Sequence, residues 1–224
     1  MGALTAVGAA SVAAACGSTA PTSPTTTTGT STGGTTSGAC VVINSETEGP
    51  YPDRTGMINN SAYYRQDITE GKAGTPLALA LTVVSVANGC APVANATIEV
   101  WQCDAAGAYS EYTVAGTFLR GLQRTDANGV ATFTTIYPGW YTGRAPHIHL
   151  EVFVNGSLVK TTQMAFPEDV SRAVYSQGVY ASRGTNFTRN TTDNVFADGT
   201  TNEMATMTGS TPSGYTAALQ IGIA

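Results

Sequence analysis

Charge is scarce in this chain. Only 11% of its 224 residues are Asp, Glu, Lys or Arg, against roughly a quarter in an ordinary soluble protein. Ten Lys and Arg face fifteen Asp and Glu, a formal net charge of −5, and no stretch forms a basic block. Phosphate backbones are held by clustered Lys and Arg, so no nucleic-acid partner is expected. The acidic balance also gives a small anionic substrate no long-range attraction, and any such preference has to be local. Leu and Lys are sparse, histidine occurs only twice, and there is no heptad or solenoid repeat. What is abundant is Gly and Thr. That composition suits a β-rich, turn-rich exported protein better than a helical cytosolic one. The length is room for one domain of moderate size plus a tail.

The first residues supply the tail. Met1 to Ala15 is a small, apolar, uncharged run that ends at Cys16. Ala13-Ala14-Ala15-Cys16-Gly17-Ser18 resembles the lipobox of bacterial lipoprotein signals, in which the cysteine takes the lipid. Residues 1–16 are therefore expected to be a signal segment, with export and attachment to the cell envelope through a lipidated Cys16. A generic secretory signal cut near Ala15 is the alternative, and it would give a secreted protein. The run is too short for a comfortable membrane span. No Lys or Arg precedes it, and an upstream start would supply the missing charge. Residues 17–39 are almost entirely Ser, Thr, Gly, Pro and Ala and read as a flexible linker. The folded domain is expected over residues 40–224.

Inside that domain strand signals dominate. Leu77 to Val86 is a largely apolar strand, and Ala96 to Cys103 alternates in the strand manner. Phe118–Thr125 and Val130–Ile136 flank Asp126-Ala127-Asn128-Gly129 and predict a hairpin. His147–Val154 and Ser157–Phe166 flank Asn155-Gly156 and predict another. A short helical turn is expected within Pro167–Tyr180, and Tyr215–Ile223 closes the chain as a strand. Short strands at this spacing predict an all-β fold, an antiparallel β-sandwich or barrel with long loops.

Beyond Cys16 the cysteines are Cys40, Cys90 and Cys103. An oxidising compartment gives one disulfide and one thiol left over. Three pairings are open. Cys40 with Cys90 is favoured, because each borders a strand rather than sitting inside one. Cys103, at a strand end, reads as a small buried residue. Both histidines fall in Arg144-Ala145-Pro146-His147-Ile148-His149. Residues two apart on a strand share a face, so the imidazoles can meet one metal ion, or be two structural histidines. Pro138-Gly139-Trp140-Tyr141 is a turn returning Tyr141 towards the same strand end, and Tyr109 follows the turn 104–108. Phenolate oxygen with imidazole nitrogen suits a ferric ion.

Taken in order, Thr47-Glu48-Gly49-Pro50-Tyr51, Glu99-Val100-Trp101-Gln102, Gly107-Ala108-Tyr109, Thr125 to Gly129, Thr135 to Tyr141, Arg144 to His149 and Thr162-Gln163-Met164 resemble the intradiol ring-cleavage dioxygenases, the group of protocatechuate 3,4-dioxygenase and catechol 1,2-dioxygenase. The resemblance implies a β-sandwich with its metal site at one end of the sheets. It implies non-haem Fe(III) held by Tyr109, Tyr141, His147 and His149, with solvent hydroxide in the fifth position. It implies a catechol-type diol and O2 as substrates and a muconate-type diacid as product. Tyr141 would be both ligand and base, leaving the metal as the diol binds. Arg144 would stand beside the substrate and support negative charge, Gln163 would back the site, and Tyr51 would line the pocket.

Two departures from the family pattern bear on specificity and assembly. Only Thr142 and Gly143 separate Tyr141 from Arg144, where well-studied members carry a longer insertion, so the metal is expected to be more open. The helical segment through which catechol 1,2-dioxygenases dimerise has no counterpart, which leaves the oligomeric state open. Two other readings compete. A non-enzymatic, surface-attached β-sandwich binding module would leave the tyrosines and histidines dispensable. A copper or zinc site would leave two phenolates without a reason.

Overall fold

The computed structural model describes residues 1–2, 40–211 and 213–224. The linker 17–39, Cys16 and, apart from its first two residues, the expected signal segment lie outside the described residues.

Leu and Val alternating with Ala and Thr make Pro76–Ser85 (β1) a strand whose Leu77, Leu79, Leu81 and Val83 face inward. It is the centre of the first sheet. Along one edge β1 pairs antiparallel with Val130–Ile136 (β5) and, at its far end, with the two-residue Ala91–Pro92 (β2). Along the other edge it pairs in parallel with Gly214–Ile223 (β9), which also carries Thr206–Ser210 (β8). The second sheet is antiparallel throughout. Its order is Arg120–Arg124 (β4), Thr97–Trp101 (β3), His147–Val154 (β6) and Ser157–Ala165 (β7). Ile98, Val100, Ile148, Leu150 and Val152 on its inner face pack with Leu79, Leu81, Phe133 and Ile221 of the first sheet. Each such side chain contributes about 1.5–3 kcal/mol by leaving water.

The fold is thus the expected all-β sandwich, with β1/β9 the one parallel pairing between strands among the described residues. The helical turn is there too, as Glu168–Tyr175 (α1) following Pro167. One expected hairpin forms and the other does not. Asn155 and Gly156 both take positive φ (52° and 79°), as a two-residue primed turn requires, and β6 and β7 pair directly. At 126–129 only Gly129 is left-handed (φ 75°), and Asp126 Oδ1 instead accepts from Asn128 N and Val130 N. The strands on either side go to opposite sheets, β4 to β3 and β5 to β1. Gly129 seals this: its carbonyl accepts from Val83 N, and a Cβ there would lie 2.5 Å from Val83 O.

Inward-pointing residues of β3 and β6 fill the core, so their alternate residues point to the outer face of the second sheet. Thr97, Glu99, Trp101, His147 and His149 are nevertheless buried. The N-terminal segment and the long loops cover them. A Cys40–Cys90 disulfide ties the start of that segment to the first sheet. Cys103 is free and buried, its thiol pushed up to about 12 by burial and then by Asp104.

Candidate active site

Two nested turns bring the tyrosines together. After β3, the Asp104 carboxylate accepts from Ala106 N and Ala108 N, and its carbonyl accepts from Gly107 N and Gly139 N. The 104–108 turn therefore presses against the 138–141 turn. Only glycines allow this approach: a Cβ on Gly139 would lie 2.3 Å from Asp104 O, and one on Gly107 2.5 Å from Trp140 O. Tyr109 leaves the first turn and Tyr141 the second, with ring centroids 5.8 Å apart. Both rings arrive at the end of β6 that carries His147 and His149.

The donor atoms converge. His147 Nε2 lies 3.1 Å from His149 Nε2, 3.3 Å from Tyr141 Oη and 3.4 Å from Tyr109 Oη. Donors held at about 2 Å from a shared ion sit roughly 3 Å from one another. His147 Nδ1 lies 2.6 Å from Ala145 O, so the ring donates from Nδ1 and keeps its Nε2 lone pair for the cluster. His149 stacks flat on Trp101, 4.7 Å between centroids at 2°. Trp101 stands directly opposite it in the β3/β6 register.

Electrostatics favour neutral imidazoles, the form whose lone pairs can bind a metal ion. Burial and then the Arg144 charge take His147 down to about 3. Burial, His147 and the two arginines Arg144 and Arg120 hold His149 well below its usual range. Burial, then Cys103 and Tyr141, holds Tyr109 well above 10. Tyr141 is also raised by burial, with Arg144 opposing. Without a cation both phenols stay protonated; a bound metal ion reverses that cost. Two phenols and two imidazoles form a hard, mixed donor set, and the residues present fit a ferric ion.

The remaining expected residues gather round this cluster. Arg144 Nη1 lies 3.3 Å from His147 Nε2, and Nη2 donates to Gln163 Oε1. Gln163 Nε2 donates to Thr47 O at 2.8 Å. Tyr51 stacks on Tyr109 at 4.6 Å and meets Tyr141 edge-on at 6.0 Å. Gly49 lies so close that a Cβ would be 2.9 Å from His149 Cε1. Cys16, the lipidation candidate, lies outside the described residues.

Three residues escaped the sequence reading. Asp193, 0% exposed in its side chain, accepts from Arg144 Nε at 2.9 and 3.1 Å and from the Ala145 and Val195 amides. It lies in a polar stretch 49 residues from Arg144, and nothing local marks it. Arg120, fully buried, donates to Tyr51 O and to Ser110 O and Oγ, and so seats both aromatic loops. Trp101 could have been found by pairing β3 with β6 in register.

A β-sandwich that gathers two tyrosines and two histidines at the end of one sheet presents a phenol–imidazole donor set suited to a metal ion. Comparison with known proteins narrows the reading. The family model described as Dioxygenase matches residues 47–208, most of the chain. The chain belongs to the intradiol ring-cleavage dioxygenase family. Over 123 residues it is 37% identical to the protocatechuate 3,4-dioxygenase beta chain of Burkholderia cepacia, an alignment covering 46% of this chain and 52% of that one. The chain thus spans about half the length of this curated relative. Its fold matches an intradiol ring-cleavage dioxygenase from Tetranychus urticae with TM-score 0.74 and 28% identity, covering 82% of this chain and 95% of that one. It also matches the dioxygenase domain of a dioxygenase carbohydrate-binding protein fusion from Streptomyces sp. SirexAA-E, with TM-score 0.61, 29% identity and coverage of 81% and 97%.

Proposed function

We propose that this chain is a non-haem iron(III) intradiol dioxygenase that cleaves a catechol-type diol with O2, between the two hydroxyl-bearing carbons, to a muconate-type diacid. The observation that carries the reading is the convergence of Tyr109, Tyr141, His147 and His149 on one point, with donor spacings of 3.1–3.4 Å about His147 Nε2. Ferric iron held by Tyr109, Tyr141, His147 and His149 would supply Lewis acidity towards a diol placed there. The chain's own residues do the rest. Both diol hydroxyls would have to lose their protons, one to Tyr141 Oη and the other to solvent hydroxide at the site. Tyr141 is half-buried and borders exposed Thr142 and Gly143, whereas Tyr109 is only 1% exposed. Tyr141 would therefore be the residue free to swing away, and Tyr109 the one held in place. The Ala145 carbonyl fixes the His147 ring and the Trp101 face fixes His149. The Arg144 guanidinium, held between Asp193 and Gln163, is a fixed positive charge for negative charge building on the diol.

The test is optical. Iron-loaded protein is expected to be red-brown from phenolate-to-iron charge transfer, and anaerobic catechol to shift the band to longer wavelength. Tyr109→Phe and Tyr141→Phe are each expected to weaken the resting colour. A colourless iron-loaded protein would falsify the four-ligand site and favour the binding-module reading.

We further propose that the protein works outside the cytoplasm, anchored by lipidated Cys16. The lipobox-like sequence and the Cys40–Cys90 disulfide support this, since disulfides persist in oxidising compartments. Cell fractionation checks it. Wild-type chain is expected with membranes and Cys16→Ala in the soluble fraction; equal partitioning of the two rules the anchor out.

A further inference from the structure

A second group of chemistry-bearing side chains lies apart from the four-ligand cluster. The carboxylates of Glu46, Asp198 and Glu203 each offer an oxygen within 4.8 Å of the other two. Glu46 precedes the segment over the active site, and its amide donates to Thr161 O on β7. Asp198 and Glu203 bracket one short turn, closed by Glu203 N donating to Thr200 O. The Ala165 amide donates to Glu203 O, which sets Glu203 beside the end of β7.

Acidic side chains cluster on many surfaces without a ligand, but Glu203 is not on the surface. It is 0% exposed. Its Oε1 accepts from Thr162 Oγ1 at 3.3 Å, and its buried Oε2 meets no donor among the described residues other than a proton it would share with Glu46. A buried carboxylate oxygen without a donor is unfavourable unless a cation or a proton meets it. The neighbouring cations are engaged elsewhere. Lys160 Nζ donates to Ile43 O and Ser45 Oγ, and Arg144 is held by Asp193 and Gln163. Among the described residues no salt bridge reaches Glu46, Asp198 or Glu203.

We propose that Glu46, Asp198 and Glu203 form a cation site, distinct from the iron site, that takes a divalent ion of the calcium type and clamps the N-terminal segment to the sandwich. Three carboxylates without nitrogen or sulfur are a hard oxygen donor set. Half-buried Glu46 and exposed Asp198 leave room for the waters that complete a calcium shell of about six to eight oxygens. A proton shared between Glu46 and Glu203 would neutralise one carboxylate and leave two; a divalent ion neutralises two and holds the third. Burial and then Glu46 raise Glu203 to about 8, and burial and then Asp198 raise Glu46, the repulsion that a bound ion would relieve. The clamp also reaches the active site. Thr47, next to Glu46, accepts from Gln163, and Gly49 lies against His149.

The experiment uses the full chain, freed of calcium, at pH 7.5. Calorimetric titration with CaCl2 is expected to give one site with a dissociation constant of roughly 10⁻⁴–10⁻³ M, the range of extracellular calcium modules. At ten times that concentration the melting temperature should rise by about 3–5 °C, and KCl at matched ionic strength should not reproduce the rise. Glu203→Gln and the rim variant Asp198→Asn, each checked for native circular dichroism, should lose the calcium response. Tyr109→Phe, which touches only the iron site, should keep it. A wild-type protein that shows neither calcium heat nor a melting shift overturns the proposal. So does a Glu203→Gln variant that melts higher than wild type while calcium leaves wild type unchanged, which would mean a shared proton only. Retention of the full calcium response by both carboxylate variants likewise overturns it.

Discussion

Arg144 owes its placement to one distant side chain. Its Nε meets both oxygens of buried Asp193, and the same carboxylate fixes the Ala145 amide, whose carbonyl in turn holds His147 Nδ1. Asp193 is thus two hydrogen bonds from His147, a proposed metal ligand, and is a positioning residue for both the guanidinium and the imidazole. Asp193→Asn keeps the volume but puts an amide donor against Arg144. Breaking a buried pair on one side costs about 3–5 kcal/mol. The variant is expected to melt lower, and to lose roughly tenfold or more in kcat with a smaller change in KM, because a misplaced charge weakens the transition state more than binding. Iron content and resting colour should survive, since all four ligands remain. A kcat within twofold of wild type would remove Asp193 from the mechanism.

At the scale of elements, two turns of similar sequence behave differently. Asn155-Gly156 puts both residues at positive φ and makes a hairpin, whereas Asp126 captures the backbone around Asn128-Gly129 and the chain crosses from one sheet to the other. An Asn-Gly pair therefore marked a turn correctly both times but fixed strand pairing only once. The β3/β6 pairing carries a further tension. Glu99 stands directly opposite Glu151, and burial first, then the Glu151 charge, lifts Glu99 to about 8 from its ordinary 4.5. Between those values the native chain holds a proton that the unfolded chain has released. This pair's effect is then a loss of stability as pH rises from about 4.5 to about 8. Glu99→Gln is expected to flatten that decline, measured by urea unfolding at pH 5 and pH 8. An unchanged difference between the two pH values would show that the pair is relaxed by solvent.

Across the whole molecule the N-terminal segment acts as a strap. It begins at the Cys40–Cys90 disulfide, adds Ile43 N to Gly222 O on β9 and Glu46 N to Thr161 O on β7, and ends with Thr47, Gly49 and Tyr51 over the site. The disulfide closes a sequence separation of 50 residues. A loop of that length contributes about 2–4 kcal/mol by restricting the unfolded chain. Replacing both cysteines with serine is expected to lower the melting temperature by roughly 4–16 °C in a scanning calorimeter. A shift below one degree would show that the strap's hydrogen bonds hold it unaided.

The sequence by itself determined strands β1, β3 to β7 and β9, the β6–β7 hairpin and the shared face of His147 and His149. Those features are local: alternation sets a strand, two positive-φ residues set a turn, and His-x-His sets two imidazoles on one face. The family resemblance turned the candidates Tyr109 and Tyr141 into expected ligands and added Arg144, Gln163 and Tyr51 to the neighbourhood. The tertiary structure decided the sheet to which β5 belongs, the parallel β1/β9 edge, and the partners Asp193, Arg120 and Trp101. Each of these depends on segments far apart in the chain meeting at close range. Burial, not sequence spacing, then made a carboxylate the necessary partner of Arg144 and left Glu203 in need of one.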